Sequence, residues 1–342
     1  MLLFLLPKWF LFVPSSLPSS SSPSPILQLS QCAKVVVRKE FRDMSPQEWI
    51  AFRNAILSLQ NFPSPSGPEV YTEYDYWTKI HIDHMHYAHA NARFFPWHRA
   101  YVLALERRLQ EIDPSIVIPF WDWTYNWRRP LDSPIFSPDY GLDVRLGGSG
   151  DCRYQRQYYK PHCLMRKYDP KSFVSFYSPQ EVSAVIHRVP QYDEFRELIE
   201  MVPHAIVHAS IGGDMSLMNS PNDPLFWLHH SMVDMIWWIW QRMHPNSKYY
   251  GNVTEILEPF GVTVSDVLVC ENLCYTYQPF SQNSALINGS NGLIDIGNDS
   301  PDASSFPMDE DWLASNHVDK SSLSQIVDRF KRIASLPLLH NE

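Results

Sequence analysis

His204 and His208 stand four residues apart in a segment that follows Pro203 and runs unbroken to Gly212-Gly213. On a helix such a pair shares one face, about one turn apart, so two imidazoles can reach one metal ion. A zinc-protease pattern needs Glu directly after the first His; Ala205 stands there, so that general base is missing. His230 shares a helical face with Phe226, Val233 and Trp237 and so points into the core, where an imidazole is costly unless bonded or ligated. His229 lies roughly 100° around the same helix. Asp234, one turn beyond His230, is the expected acceptor for that ring's second nitrogen. His98 heads a stripe with Val102, Leu105 and Leu109, and His89 precedes it in a less regular stretch. His81 follows the Tyr74, Trp77 and Met85 stripe, His84 competes with it, and His86 is off that face. Three plus three imidazoles without thiolate or carboxylate suit copper better than zinc or iron. The expected cofactors are therefore two copper ions.

Two longer patterns contain these histidines. One is His89-x4-Phe94-x2-Trp97-His98-Arg99-x2-Val102-x3-Glu106; the other is Asp223-Pro224-x-Phe226-Trp227-x2-His230-x3-Asp234. With them, in order, the chain resembles the tyrosinase family of dinuclear copper proteins over roughly residues 32–280. Tyr74-Asp75 ahead of His81 resembles the stretch around the family's first ligand and favours His81 over His84. The resemblance implies ligand sets His81, His89, His98 and His204, His208, His230. It also implies a mainly α fold, a four-helix bundle enclosing the dinuclear copper site, with long irregular loops. The implied partners are O2 and a small phenolic substrate, and the implied reaction is oxidation of o-diphenols, and of monophenols in some members, to o-quinones. A haemocyanin-like dioxygen carrier and an o-aminophenol oxidase are the alternatives within that resemblance. Glu200 matches approximately the family's water-orienting catalytic Glu. The Asn that accompanies it in many members is replaced by Ala205, so o-diphenol oxidation is expected to exceed phenol hydroxylation. Phe226 is expected to line the substrate pocket or pack on the ligands. Tyr87 stands where some members carry a Cys that crosslinks to the second ligand, so no thioether is expected.

The elements that must hold these residues are legible as helices. Ser45-Pro46-Gln47-Glu48 and Ser178-Pro179-Gln180-Glu181 each read as a capping box with Pro at the first helical position. Helical patterns cover about 71–86, from Pro96 past Leu109, and about 192–202, where Pro203 is expected to end one helix and begin the next. Asp223-Pro224 opens another helix that runs to near Pro245, and a last amphipathic helix is expected at about 321–335. Residues 61–68 and 125–177 read as loops by their Pro, Ser, Gly and Tyr content.

Chain-level features set the limits. Lys plus Arg is 28 against 37 Asp plus Glu, so the chain is acidic and lacks the basic footprint of a nucleic-acid binder. No stretch reaches the roughly 18 apolar residues of a membrane span. Phosphate-cradling Gly motifs are absent. Residues 1–31 read as a secretory signal, MLLFLLPKWFLFV, followed by a Ser/Pro linker, and 281–342 as a short polar tail that packs beside the site or shields it. Together with sequons at Asn252, Asn288 and Asn298, this predicts a secreted protein. In that compartment Cys152 with Cys163, and Cys270 with Cys274, are the nearest candidate disulfides, leaving Cys32 odd. The sequence does not specify the oligomeric state.

Overall fold

The computed structural model describes residues 26–29, 32–67, 70, 72–140, 155–156, 162–168, 170, 173–278, 301, 313–314 and 318–336. The expected signal, most of the linker, the sequons at Asn288 and Asn298, and Cys152 lie outside them. The predicted helices form where local chemistry places them: α1 (Pro46–Ser58), α2 (Glu73–Asp83), α3 (Met85–Ala88), α4 (Phe94–Ile112), α5 (Pro179–Arg188), α6 (Tyr192–Ile199), α7 (Ala205–Ile211), α8 (Leu225–Met243), α9 (Val264–Val267) and α10 (Lys320–Ser335). Both Ser-Pro-x-Glu boxes close, with Ser45 accepting from the Glu48 N–H and Ser178 from the Glu181 N–H. Thr72 and Asp75 make a third box at the start of α2. The 71–86 stripe is broken at His84, which caps the end of α2.

Pro203 does not end a helix, contrary to expectation. Residues Glu200–His204 form a π-helical turn joining α6 to α7 in one continuous rod. A proline has no backbone N–H to donate, and the widened turn accommodates it without ending the helix.

α2, α4, the α6–α7 rod and α8 supply the helical framework, with α4 lying along α8. Their interface is aromatic: Phe95 stacks on Trp237 at 5.3 Å and on Phe195 at 5.5 Å, and Phe195 on Trp240 at 4.8 Å. Such rings bury large apolar areas with few rotamers, which fixes the spacing of α4, α6 and α8. Strands are short. β1 (Val36–Arg38) pairs in parallel with β6 (Tyr275–Tyr277), β2 (Gln155–Arg156) with β3 (His162–Cys163), and β4 (Ile256–Leu257) with β5 (Val262–Thr263).

The β1–β6 pair is clamped by a Cys32–Cys274 disulfide, which corrects the expected Cys270–Cys274 pairing; Cys270 is a buried free thiol. Residues 270–273 form a 3-10 turn, and Cys274, left-handed at φ 69°, is joined instead to the N-terminal segment. Cys163 is disulfide-bonded as well. The last helix, α10, buries Leu323, Val327, Phe330 and Ala334 and packs on α5, α6 and the π turn. Arg188 donates to the Ile333 and Leu336 carbonyls at its end, and Arg329 pairs with Glu197. Among the described residues, no helix is long and apolar enough to cross a membrane.

Candidate metal centre

Two clusters of buried imidazoles face each other at the centre of the helices. His81 on α2, His89 at the end of α3 and His98 on α4 bring their donor atoms within 4.8 Å of one another, as do His204, His208, His229 and His230. The clusters touch: the His98 and His230 rings stack with centroids 4.4 Å apart and planes 12° apart. All six predicted ligands lie in these two clusters, the first a set of three and the second holding His229 as a fourth ring. His84 is not; its Nδ1 meets the Ile80 carbonyl at 2.7 Å and its ring lies against Trp97.

The rings are aimed by backbone carbonyls. Nδ1 of His81 meets Met218 O at 2.7 Å, that of His89 meets Met85 O at 2.9 Å, and that of His98 meets Phe94 O at 2.8 Å. Nδ1 of His204 meets Glu200 O at 2.8 Å and that of His208 meets Met215 O at 2.7 Å. A carbonyl can only accept, so each Nδ1 carries the proton and each Nε2 presents a lone pair. The Nε2 atoms of His81, His98 and His204 are buried with no protein partner. Burial is the main reason all these rings stay neutral: His89 and His208 are pulled down to about 4, and His81, His98, His204 and His230 well below the ordinary 6.5. Neutral, inward-facing imidazoles without thiolates fit a pair of copper ions.

One loop, unmarked in the sequence reading, serves both clusters. Between α7 and α8 its Met218 and Met215 carbonyls hold His81 and His208 respectively. Asp214 fixes it by accepting from Asn219, Asn222 and the Met165 N–H. Gly212 and Gly213 enter it at φ 65° and 61°, and a Cβ on Gly213 would lie 2.2 Å from the Met165 carbonyl. Asp223 is held by a two-pronged pair with buried Arg166 and accepts from the Leu225 N–H, opening α8. The only sequence signal for this loop is the Gly-Gly pair followed by closely spaced Asp and Asn.

Asp234 does not partner His230, correcting that expectation. Its carboxylate accepts from Arg99 Nε at 2.5 Å and from the Tyr275 and Tyr277 hydroxyls, each at 2.6 Å, with Arg38 at 3.5 Å. Arg38 also forks onto Glu106. Two buried guanidinium groups each need a carboxylate, and they outcompete a neutral ring. His230 Nδ1 is left without a partner.

Phe226 is fully buried, with its ring 4.1 Å from His230 and 5.1 Å from His81, so it packs the ligands of both clusters. Phe94 does the same from the other side, 4.9 Å from His98 and 5.0 Å from His204. Ala205 is buried and presents only a methyl group. Glu200 is buried, and burial raises its pKa against the opposing pull of Arg196. Its carboxylate accepts from the Ala90 N–H at 2.7 Å and from Arg196 at 2.9 Å, tying the turn after His89 to the π turn before His204. Tyr87 donates to the Ile256 carbonyl. A small depression opens onto His81, His89, His204 and His208 past Met215, Leu217, Met218 and Ser220.

Residues 71–143 and 129–243 match the family described as the common central domain of tyrosinase. The chain belongs to the tyrosinase family. Among its relatives, the tyrosinase ustQ of Aspergillus flavus is 30% identical over 290 residues, which cover 72% of this chain and 80% of that protein. The tyrosinase-like protein phomQ1 of Diaporthe leptostromiformis is 32% identical over 255 residues; the match covers 64% of this chain and 65% of that protein's length. Of solved structures, a polyphenol oxidase from Thermothelomyces thermophila superposes with a TM-score of 0.59 at 22% identity, over 71% of this chain and 89% of that one. A tyrosinase from Burkholderia thailandensis gives 0.56 at 21%, over 73% and 75%. These tyrosinase-type neighbours share the mainly helical fold.

Proposed function

We propose that this tyrosinase-family chain is a two-copper oxidoreductase that uses O2 to oxidise o-diphenols to o-quinones, with monophenols poorer substrates. The observation that carries the reading is the pair of buried imidazole clusters, with five of the six predicted ligand rings aimed by backbone carbonyls, meeting at His98 and His230. Copper, when bound, supplies the electrons for dioxygen reduction and the oxidising power for the phenol. The chain's own contribution is positional. His81, His89 and His98 would hold one ion, and His204, His208 and His230 the other. Phe94 and Phe226 keep the rings packed and water out of their flanks. The depression beside Met215, Leu217 and Met218 is the side from which a substrate would approach the histidines.

The preference for diphenols is supported by Ala205 and Glu200. Hydroxylating a monophenol calls for a positioned base to take its proton. A methyl group at 205 orients no water, and the Glu200 carboxylate is already engaged by Ala90 and Arg196. The test is copper quantification on purified protein together with oxygen uptake on catechol, a matched monophenol and o-aminophenol. We expect two coppers per chain and kcat/KM on catechol at least tenfold above the monophenol without a priming catechol. Equal values would contradict the preference. Reversible oxygen binding without turnover would favour a carrier instead. We also propose a secreted protein, a reading supported by the Cys32–Cys274 disulfide and by exposed Asn252 in its sequon.

A further inference from the structure

Five of the six ligand rings are anchored through Nδ1 to a carbonyl; His230 is the exception. It is restrained by packing against Phe226, His98 and Phe94 and by a 3.3 Å contact of its Nε2 with His208 Nε2, with no backbone carbonyl at its Nδ1. Beside it, on the face away from the first cluster's ring contact, lies His229. This seventh imidazole is fully buried, and among the described residues neither of its nitrogens has a partner. Its ring stacks on His204 at 5.2 Å with planes 16° apart and lies 4.7 Å from His208. Leaving two buried ring nitrogens unpaired is costly, so a group that is not part of the chain must compensate for them. Its donor atom already lies within the same 4.8 Å cluster as those of His204, His208 and His230.

We propose that the second metal site has an exchangeable third donor: His204 and His208 are fixed, and His229 and His230 are alternative partners for the same ion. The two candidates are consecutive on α8 and approach the fixed pair from different sides, His230 from beside His98 and His229 from behind His204. His208 and His230 have their Nε2 atoms 3.3 Å apart, a spacing that two ligands of one ion adopt. A ring without a carbonyl anchor next to an unpartnered one provides for exchange, because His230 has no backbone hydrogen bond to give up.

The inference rests on the two-metal reading of the site, and the test separates the two. Purified chain is stripped and titrated with Co2+, reading metal per chain and the visible absorption of the bound ion. Wild type must bind two ions; one or none overturns the two-metal reading itself. His230→Ala is expected to keep two ions, the second held through His229 with affinity lowered about 10- to 100-fold, comparable to the loss of a supporting ligand contact. His229→Ala/His230→Ala is expected to bind one. If His230→Ala alone binds one ion, or the double variant still binds two, the exchangeable donor is refuted while the two-metal site stands. Binding at the first cluster reports whether each variant is folded; His230→Gln takes the place of the alanine variant if it is not.

Discussion

Individual side chains here are dominated by the cost of burying imidazoles. His89 and His208 titrate at about 4 in the fold against 6.5 for an unperturbed ring, and five other buried rings are lowered as well. Between those values the native state binds fewer protons than the unfolded chain. Stability is thus fully present above pH 6.5 and is lost as the pH falls towards 4. A shift of that size amounts to about 3 kcal/mol for each of the two rings. The metal-free protein is expected to unfold in acid within this window, and bound metal should move the midpoint lower because it competes with the protons. Near-UV circular dichroism against pH, with and without chelator, checks this; identical midpoints would contradict it. Asp234 supports a second prediction. Asp234→Asn leaves Arg99 with an uncompensated buried charge, Arg38 keeping Glu106, and should cost about 3–5 kcal/mol in urea denaturation. Most of the ligands are legible in the sequence because they lie on helical stripes whose spacing shows their face; His89, in extended backbone after α3, is legible only through its longer pattern with His98. The partners of Asp234 were not: Arg38 and Tyr277 lie far away along the chain, and nothing local announces them.

Among the elements, the loop from Gly212 to Asn222 matters most for the site, since its backbone orients one ligand in each cluster. Gly213→Ala is expected to cost about 1–3 kcal/mol through backbone strain and close contact with Met165. The same substitution should weaken binding of both ions, read as metal affinity in an equilibrium titration; a variant that lost stability but kept both affinities would show the loop to be scaffolding only. Helix starts were readable because capping boxes and Pro at the first position depend on neighbouring residues. The π turn at Glu200–His204 was misread as a break because the penalty for proline is local, whereas the packing of α6, α7 and α10 that holds the rod together is not. Carbonyls that aim rings are equally invisible, since every residue has one.

For the molecule as a whole, β1 and α10 are the outermost described elements that pack back on the rest. α10 lies against α5 and the turn that carries His204, while the described lining of the depression comes from α2, α7, the turn at His89 and the following loop. Removing Asp319–Glu342 is therefore expected to lower stability and loosen the second metal. A rise in oxygen uptake on catechol would instead identify the tail as a shield. Compartment and tail function were the least legible parts, because composition describes a segment without saying what it touches. The parallel pairing of Val36–Arg38 with Tyr275–Tyr277 has a consequence for biosynthesis. A parallel pair cannot form as a hairpin, and this one joins residues more than two hundred positions apart. While the ribosome is still making residue 270, both hydroxyls destined for Asp234 are absent and the N-terminal segment has nothing to pair with. The helical part of the chain is thus made before this pairing can close, and metal bound in that interval would not have to open a finished core.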